Sequence, residues 1–145
     1  MKIMNKLQGA IFSIPMFFKK DKSIDFLSLK NYINKCLDNP GIDVIYAMSY
    51  NTRLRQLNHN EIIEVSKLCC ELANFRGKKA IIGHPYTITS DEFHNYCQII
   101  KDFNPYAISV LYPERYYGMT QPLVDFYSVP KNSGLKVLVH EQKLV

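Results

Sequence analysis

Apolar segments of strand length alternate with amphipathic segments of helical length along the chain, with a period of about 30 residues. This alternation predicts a parallel sheet joined by right-handed crossovers, with the helices outside. Five strands and four helices fit two architectures, an open flavodoxin-like sheet or part of a (β/α)8 barrel. The strands are predicted at 9–16, directly after Gly41, and at 80–83, 107–111 and 135–139.

Capping residues mark where the helices begin. Asp25 can cap the first helix, whose apolar residues recur at helical spacing. Asn58 and Glu61 have the spacing of a capping box. The spacing of Thr89 and Glu92 repeats it. The fourth helix is predicted at 120–129, with the following proline ending or kinking it.

Length and composition favour one domain and restrict the partners. A chain of 145 residues with 47% hydrophobic content can form one core. The net charge of +5 is spread along the chain, with the tightest basic runs only at Lys19-Lys20 and Lys78-Lys79, so no nucleic-acid partner is expected. No segment approaches the ~20 apolar residues of a membrane span, and no leader is recognised. We therefore expect a cytoplasmic protein with no membrane partner.

The four cysteines show no metal-type spacing with one another or with histidines. Each falls on or beside an apolar helical stripe, which is typical of buried, reduced thiols. No metal and no cofactor are predicted. These cysteines are Cys36, Cys69, Cys70 and Cys97.

Candidate functional residues lie where strands end, because α/β proteins carry their sites beyond the carboxyl ends of parallel strands. His84 and His140 follow predicted strands, and an imidazole there can act as an acid or base. Arginine in such loops can bind a carboxylate bidentately. His140 is the candidate catalytic residue. The candidate substrate-binding residues are Tyr50, Asn51, Arg53, His84 and Arg115.

Five motifs also follow one another along the chain: a Gly-to-Asp segment at 9–25, Gly41-Ile42-Asp43, a helix start at 57–61, a third-strand signature at 76–83 and a Tyr-rich loop at 111–117. In these motifs the sequence, from Leu7 onward, resembles the dihydrodipicolinate synthase and N-acetylneuraminate lyase family. Members of that family are (β/α)8 barrels of about twice this length. The resemblance implies the first five strands of such a barrel.

The resemblance also implies roles for single residues, and at several of these positions the sequence differs from the family. The family's Thr pair, which holds the carboxylate of a pyruvate-like substrate, is replaced by Tyr50 and Asn51. His140 stands where the family has the catalytic Tyr of its proton relay. The family's Schiff-base Lys belongs to a sixth strand, which would lie beyond Val145.

The resemblance therefore implies the N-terminal portion of a divergent lyase, of the aldolase type, that acts on a small oxo acid or sugar acid and forms homo-oligomers. The 145-residue chain is expected to be incomplete and inactive alone. Two alternatives stay open. One is a non-catalytic half-barrel that assembles with another polypeptide, and the other is a flavodoxin-like module that binds an anion.

Overall fold

The computed structural model describes residues 7–49, 52, 54–85 and 88–140. Within them, strands and helices alternate as the sequence predicts, and all strand pairs are parallel. Short 3-10 turns at Leu54–Gln56 and Glu114–Tyr116 follow the second and fourth strands. The elements are β1 (Ile11–Ser13), α1 (Phe26–Asp38), β2 (Val44–Ala47), α2 (His59–Phe75), β3 (Lys79–Ile82), α3 (Ser90–Lys101), β4 (Ala107–Leu111), α4 (Thr120–Asn132) and β5 (Val137–His140).

The strand order decides between the two predicted architectures. The sheet runs β1-β2-β3-β4-β5, so each strand pairs with the next strand in the chain. A flavodoxin-like sheet has the order 2-1-3-4-5, because its chain reverses direction after the first crossover. The flavodoxin-like alternative is therefore wrong, and the order is that of consecutive strands in a (β/α)8 barrel.

The two faces of the sheet differ in what covers them. On the outer face, alternate strand residues such as Ile45, Ile82 and Ile108 are buried in the main core, which includes buried residues of all four helices. On the inner face, a smaller cluster forms around Val44 and Ile81. The period-two alternation of strand side chains produces this separation. It also determines which polar residues point inward.

The predicted helix starts are confirmed. Asp25 accepts a hydrogen bond from the backbone N–H of Ser28 at 3.0 Å. Asn58 and Thr89 each form a complete capping box with the glutamate three residues later. The four cysteines are buried free thiols, as their spacing predicted.

The predicted end of the fourth helix needs a correction, because α4 continues through Pro130 to Asn132. Proline removes one backbone N–H, but here it lies in the last turn. Its carbonyl still accepts hydrogen bonds from the N–H groups of Ser133 and Leu135, at 3.1 and 3.0 Å. Only one helical hydrogen bond is therefore lost.

Gly83 allows the loops after β2 and β3 to approach closely. A Cβ atom at Gly83 would overlap the backbone carbonyl of Met48. The Gly83 N–H continues the sheet by donating to the carbonyl of Ala47 at 2.9 Å. Within the described ranges, no helix is long and apolar enough to cross a membrane.

Candidate active site

Three polar side chains meet on the inner face: one near the carboxyl end of β2, one in the middle of β4 and one at the carboxyl end of β5. The hydroxyl of Tyr46 donates to the Oγ atom of Ser109 at 2.9 Å. The ring of His140 lies against Tyr46, with the ring centroids 6.3 Å apart. His140 is the last residue of β5 and is exposed. We call Tyr46, Ser109 and His140 the inner polar group.

The inner polar group combines a shielded phenol with an accessible imidazole. Burial raises the pKa of Tyr46, while its hydrogen bond to Ser109 acts in the opposite direction. The phenol is therefore a neutral donor near pH 7. The Ser109 hydroxyl, which accepts from Tyr46, can still donate its own proton. Together they can hold or pass a proton beside His140.

A second polar network fixes the loop after β2 to the end of β1. The buried Thr52 hydroxyl donates to the carbonyl of Ile14 at 2.9 Å. The backbone N–H of Ser49 donates to the Thr52 hydroxyl at 3.2 Å, and the hydroxyls of Ser13 and Ser49 lie 2.5 Å apart. Three of the predicted binding residues belong to this loop but lie outside the described residues, so their ligand contacts stay predictions. They are Tyr50, Asn51 and Arg53.

His84 lies between the sheet and the helices, with 2% of its surface exposed. Its ring centroid is 4.9 Å from that of Phe93 on α3 and 5.8 Å from that of Phe126 on α4. This location differs from the predicted one at the open rim. Strand alternation explains the difference, because the residue after inward-facing Gly83 points outward.

Both ring nitrogens of His84 are engaged by the backbone. Nε2 accepts the N–H of Leu111 at 3.0 Å, and Nδ1 is 2.8 Å from the carbonyl of Pro85, which fits a neutral ring protonated on Nδ1. Burial lowers the pKa of His84 to about 4. This arrangement leaves no ring nitrogen for a substrate, so the contacts support a positioning role. The predicted substrate contact of His84 stays a prediction.

Arg115 is exposed in the loop after β4. Its guanidinium carbon lies 5.2 Å from the ring centroid of Tyr116 and 6.0 Å from that of Phe126. Its charge also contributes to the lowered pKa of Glu92, after the larger effect of the Thr89 hydrogen bonds. The ring of Phe126 also contacts His84, so Arg115 lies near the aromatic side chains that surround His84. The prediction that it binds substrate stays a prediction.

Tyr46 and Ser109 were not among the residues predicted from the sequence. The alternation of side chains along a strand could have identified them. Each is a polar residue whose neighbours on the strand are buried in the outer core, so its own side chain points to the inner face. His140 was selected because it ends a strand. Among the described residues, no group of three or more His, Cys, Asp or Glu side chains could hold a metal ion.

Sequence comparison alone does not identify relatives, since no family model and no curated protein matches the chain. Solved structures do match. The 4-hydroxy-tetrahydrodipicolinate synthase of Methylacidiphilum fumariolicum SolV superposes with a TM-score of 0.78 at 22% identity, over 92% of this chain and 44% of that chain. The N-acetylneuraminate lyase of Mycoplasma synoviae gives a TM-score of 0.76 at 20% identity, over 89% and 44%.

A third match is a structure with a bound ligand. YagE, a prophage protein of the dihydrodipicolinic acid synthase family from E. coli K12, was solved in complex with pyruvate. It gives a TM-score of 0.78 at 18% identity, over 90% of this chain and 43% of that chain. The chain has the fold of the first half of these barrels.

The fold resemblance predicted from the motifs is thus confirmed. This partial barrel spans less than half the length of the structures that it matches. Within its inner polar group, His140 lies at the carboxyl end of β5, the end of the strands where (β/α)8 enzymes carry their active sites. His84 and Arg115 follow strands that end on this same face, but they lie toward its helix side.

Proposed function

We propose that the partial barrel belongs to a lyase of the aldolase type that acts on a small oxo acid or sugar acid. The observation that carries the proposal is the inner polar group, which reaches the carboxyl end of β5 in a sheet whose fold is shared with dihydrodipicolinate synthase and N-acetylneuraminate lyase. The pyruvate complex of YagE supports an oxo acid as the ligand class.

In the proposed reaction, this chain supplies the group that transfers the proton, and a sixth strand supplies the lysine that forms the imine. In enzymes of this type a lysine forms an imine with the substrate carbonyl and withdraws electrons from the bond that is made or broken. The proposal assigns that lysine to a strand beyond Val145. His140 then transfers the proton, while burial keeps the neighbouring phenol of Tyr46 neutral and its hydrogen bond to Ser109 orients it.

Substrate binding is assigned to the loops after β2 and β4. Tyr50 and Asn51 offer a phenol and an amide to the substrate carboxylate, and Arg53 and Arg115 offer charge. Because Arg115 is exposed, replacing it with alanine should weaken binding by about five-fold. His84 supports this site indirectly, by holding the backbone of Leu111, the last residue of β4.

The test compares two histidine variants in a protein that includes strand six. Pyruvate release from a sugar acid such as N-acetylneuraminate is measured for the parent, His140→Phe and His94→Phe. Loss of a general acid or base typically costs 10²–10⁴-fold in rate, so His140→Phe should lose activity by about that factor. His94, exposed on α3, is the matched control and should retain the parent rate.

The 145-residue chain alone provides a second arm. Mixed with pyruvate and borohydride, it should form no covalent adduct detectable by mass spectrometry, because the imine lysine is assigned to strand six. A stoichiometric adduct would contradict that assignment. If the protein with strand six neither binds pyruvate nor releases it from the sugar acid, the non-catalytic half-barrel becomes the better explanation. An active protein whose rate is unchanged in His140→Phe would instead refute the proton-transfer role of His140.

A further inference from the structure

A pocket of about 370 Å³ lies at the amino ends of the strands, opposite the candidate active site. β3 begins at Lys79, Tyr106 directly precedes β4, and Lys136 directly precedes β5. Because these three strands are adjacent and parallel, the three side chains come together on one side of the pocket. The proposed lyase chemistry uses none of these residues.

Two ammonium groups contact the ring of Tyr106. The Nζ atoms of Lys79 and Lys136 lie 4.7 and 4.6 Å from the centroid of its ring. A cation near an aromatic face is attracted by the ring without being neutralised. Both ammonium groups are therefore held beside the ring by an attraction that involves no carboxylate.

The pocket has an excess of positive charge. Lys78 and Lys101 also line it, whereas no aspartate or glutamate is among its described lining residues. Lys78 supports the fold, since its Nζ atom donates to the carbonyls of Asn39 and Ile42 at 2.7 and 2.6 Å. Nζ of Lys101 donates to the side-chain amide of Gln98. Within the described ranges, none of the four lysines forms an ion pair with a carboxylate.

We propose that this lysine pocket binds a small phosphorylated ligand, whose phosphate groups are bound by Lys79 and Lys136. Several neighbouring ammonium groups match a multiply charged anion, and lysine recognises phosphate as a point charge with freely rotating donors. The volume is within the range of small-ligand sites. Since the pocket is at the amino ends of the strands, this site is separate from substrate binding at their carboxyl ends.

The test is a calorimetric titration of the full chain with pyrophosphate at low ionic strength. The parent should bind with one-to-one stoichiometry, and binding should weaken as salt screens the charges. Lys79→Gln and Lys136→Gln should each weaken binding by about three- to five-fold, the range for exposed charge pairs. Amide NMR shifts of the parent should concentrate at Lys79, Tyr106 and Lys136, which provides a readout independent of how the variants fold.

Lys30→Gln is the matched control, because it removes the same charge from the exposed surface of α1. It should bind pyrophosphate as the parent does. Equal weakening in all three variants would mean attraction by net charge alone and would overturn the proposal. Unsaturable binding, or shifts spread over the whole surface, would overturn it as well. If the protein with strand six lacks lyase activity while this chain binds pyrophosphate in this way, the proposed function is refuted and the proposed phosphate site is not.

Discussion

His84 connects two strand ends through one ring. Its neutral form suits both partners, since Nε2 accepts from Leu111 and the opposite nitrogen faces a carbonyl. A proton on Nε2 would point at another N–H group and would be buried among aromatic rings. Protonation of His84 is therefore less favourable in the folded chain than in the unfolded chain.

This cost predicts acid sensitivity. The pKa of His84 is about 4 in the folded chain, against an ordinary value of 6.5, so between these values the unfolded chain binds a proton that the folded chain does not. The free energy of unfolding should fall as the pH drops from 6.5 to about 4, by on the order of 3 kcal/mol in total from this residue. Urea unfolding at about pH 7 and pH 4.5 measures the change.

Two variants isolate the contribution of His84. His84→Gln should be less stable than the parent at pH 7 but should lose most of the pH dependence above pH 4.5. His94→Gln, at an exposed position, should keep the dependence of the parent. If His84→Gln retains the full dependence, other groups cause it. Asp25 and Glu92 contribute mainly below about pH 4.5, because groups with lowered pKa values lose their stabilising effect as the pH falls through their ordinary values of 3.8 and 4.5.

For single residues, the sequence predicted which residue ends a strand better than it predicted the face of the sheet to which a side chain points. His140 was identified because it ends a strand, and the structure shows it beside Tyr46. His84 was expected at the rim, but a polar residue just past a strand can point to either face. Which face it takes depends on the last paired residue, and that is fixed by the register with β2 and by the close contact of Gly83 with Met48.

Among the elements, helix starts were predictable because their signals are local. The side chain of Asn58 accepts a hydrogen bond from the backbone N–H of Glu61 at 3.0 Å. The backbone N–H of Asn58 donates to the Glu61 carboxylate at 2.8 Å. All of this information lies within four residues. Strand ends depend on partners far along the chain, which explains why β5 begins at Val137 rather than at the predicted residue 135.

The capping box of α2 gives a prediction at this scale. Asn58→Ala should lower the free energy of unfolding by about 1 kcal/mol, because the N–H of Glu61 loses its acceptor. Urea denaturation at pH 7 measures the difference. Asn60→Ala is the control, since this exposed residue lies inside the helix and should change stability by less than about 0.5 kcal/mol. Equal losses in both variants would refute the capping effect.

For the molecule as a whole, the open edges of the sheet matter most. Within the described residues, β1 and β5 each pair on one side only. Their side chains include Ile11, 45% exposed, and Val139, 50% exposed. Unpaired edge strands with apolar side chains promote association between chains.

We therefore predict that the 145-residue chain self-associates as its concentration rises. Size-exclusion chromatography over a hundred-fold range of concentration tests this. Val139→Lys should shift the equilibrium toward the monomer, because a charge on an edge strand opposes pairing. Val124→Lys, an equally exposed change on α4, should not. A parent that stays monomeric throughout would show that its edges are protected.

The neighbour-to-neighbour strand order has a consequence for how the chain acquires its structure. Within the described residues, each strand from β2 to β5 pairs with the strand synthesised about 30 residues earlier, so these four pairings form between neighbouring segments of the chain. Such local pairing shortens the loops that must close and allows structure to grow in the direction of translation. A chain built this way can fold progressively as it leaves the ribosome, with β1 and β2 paired before β5 has been made.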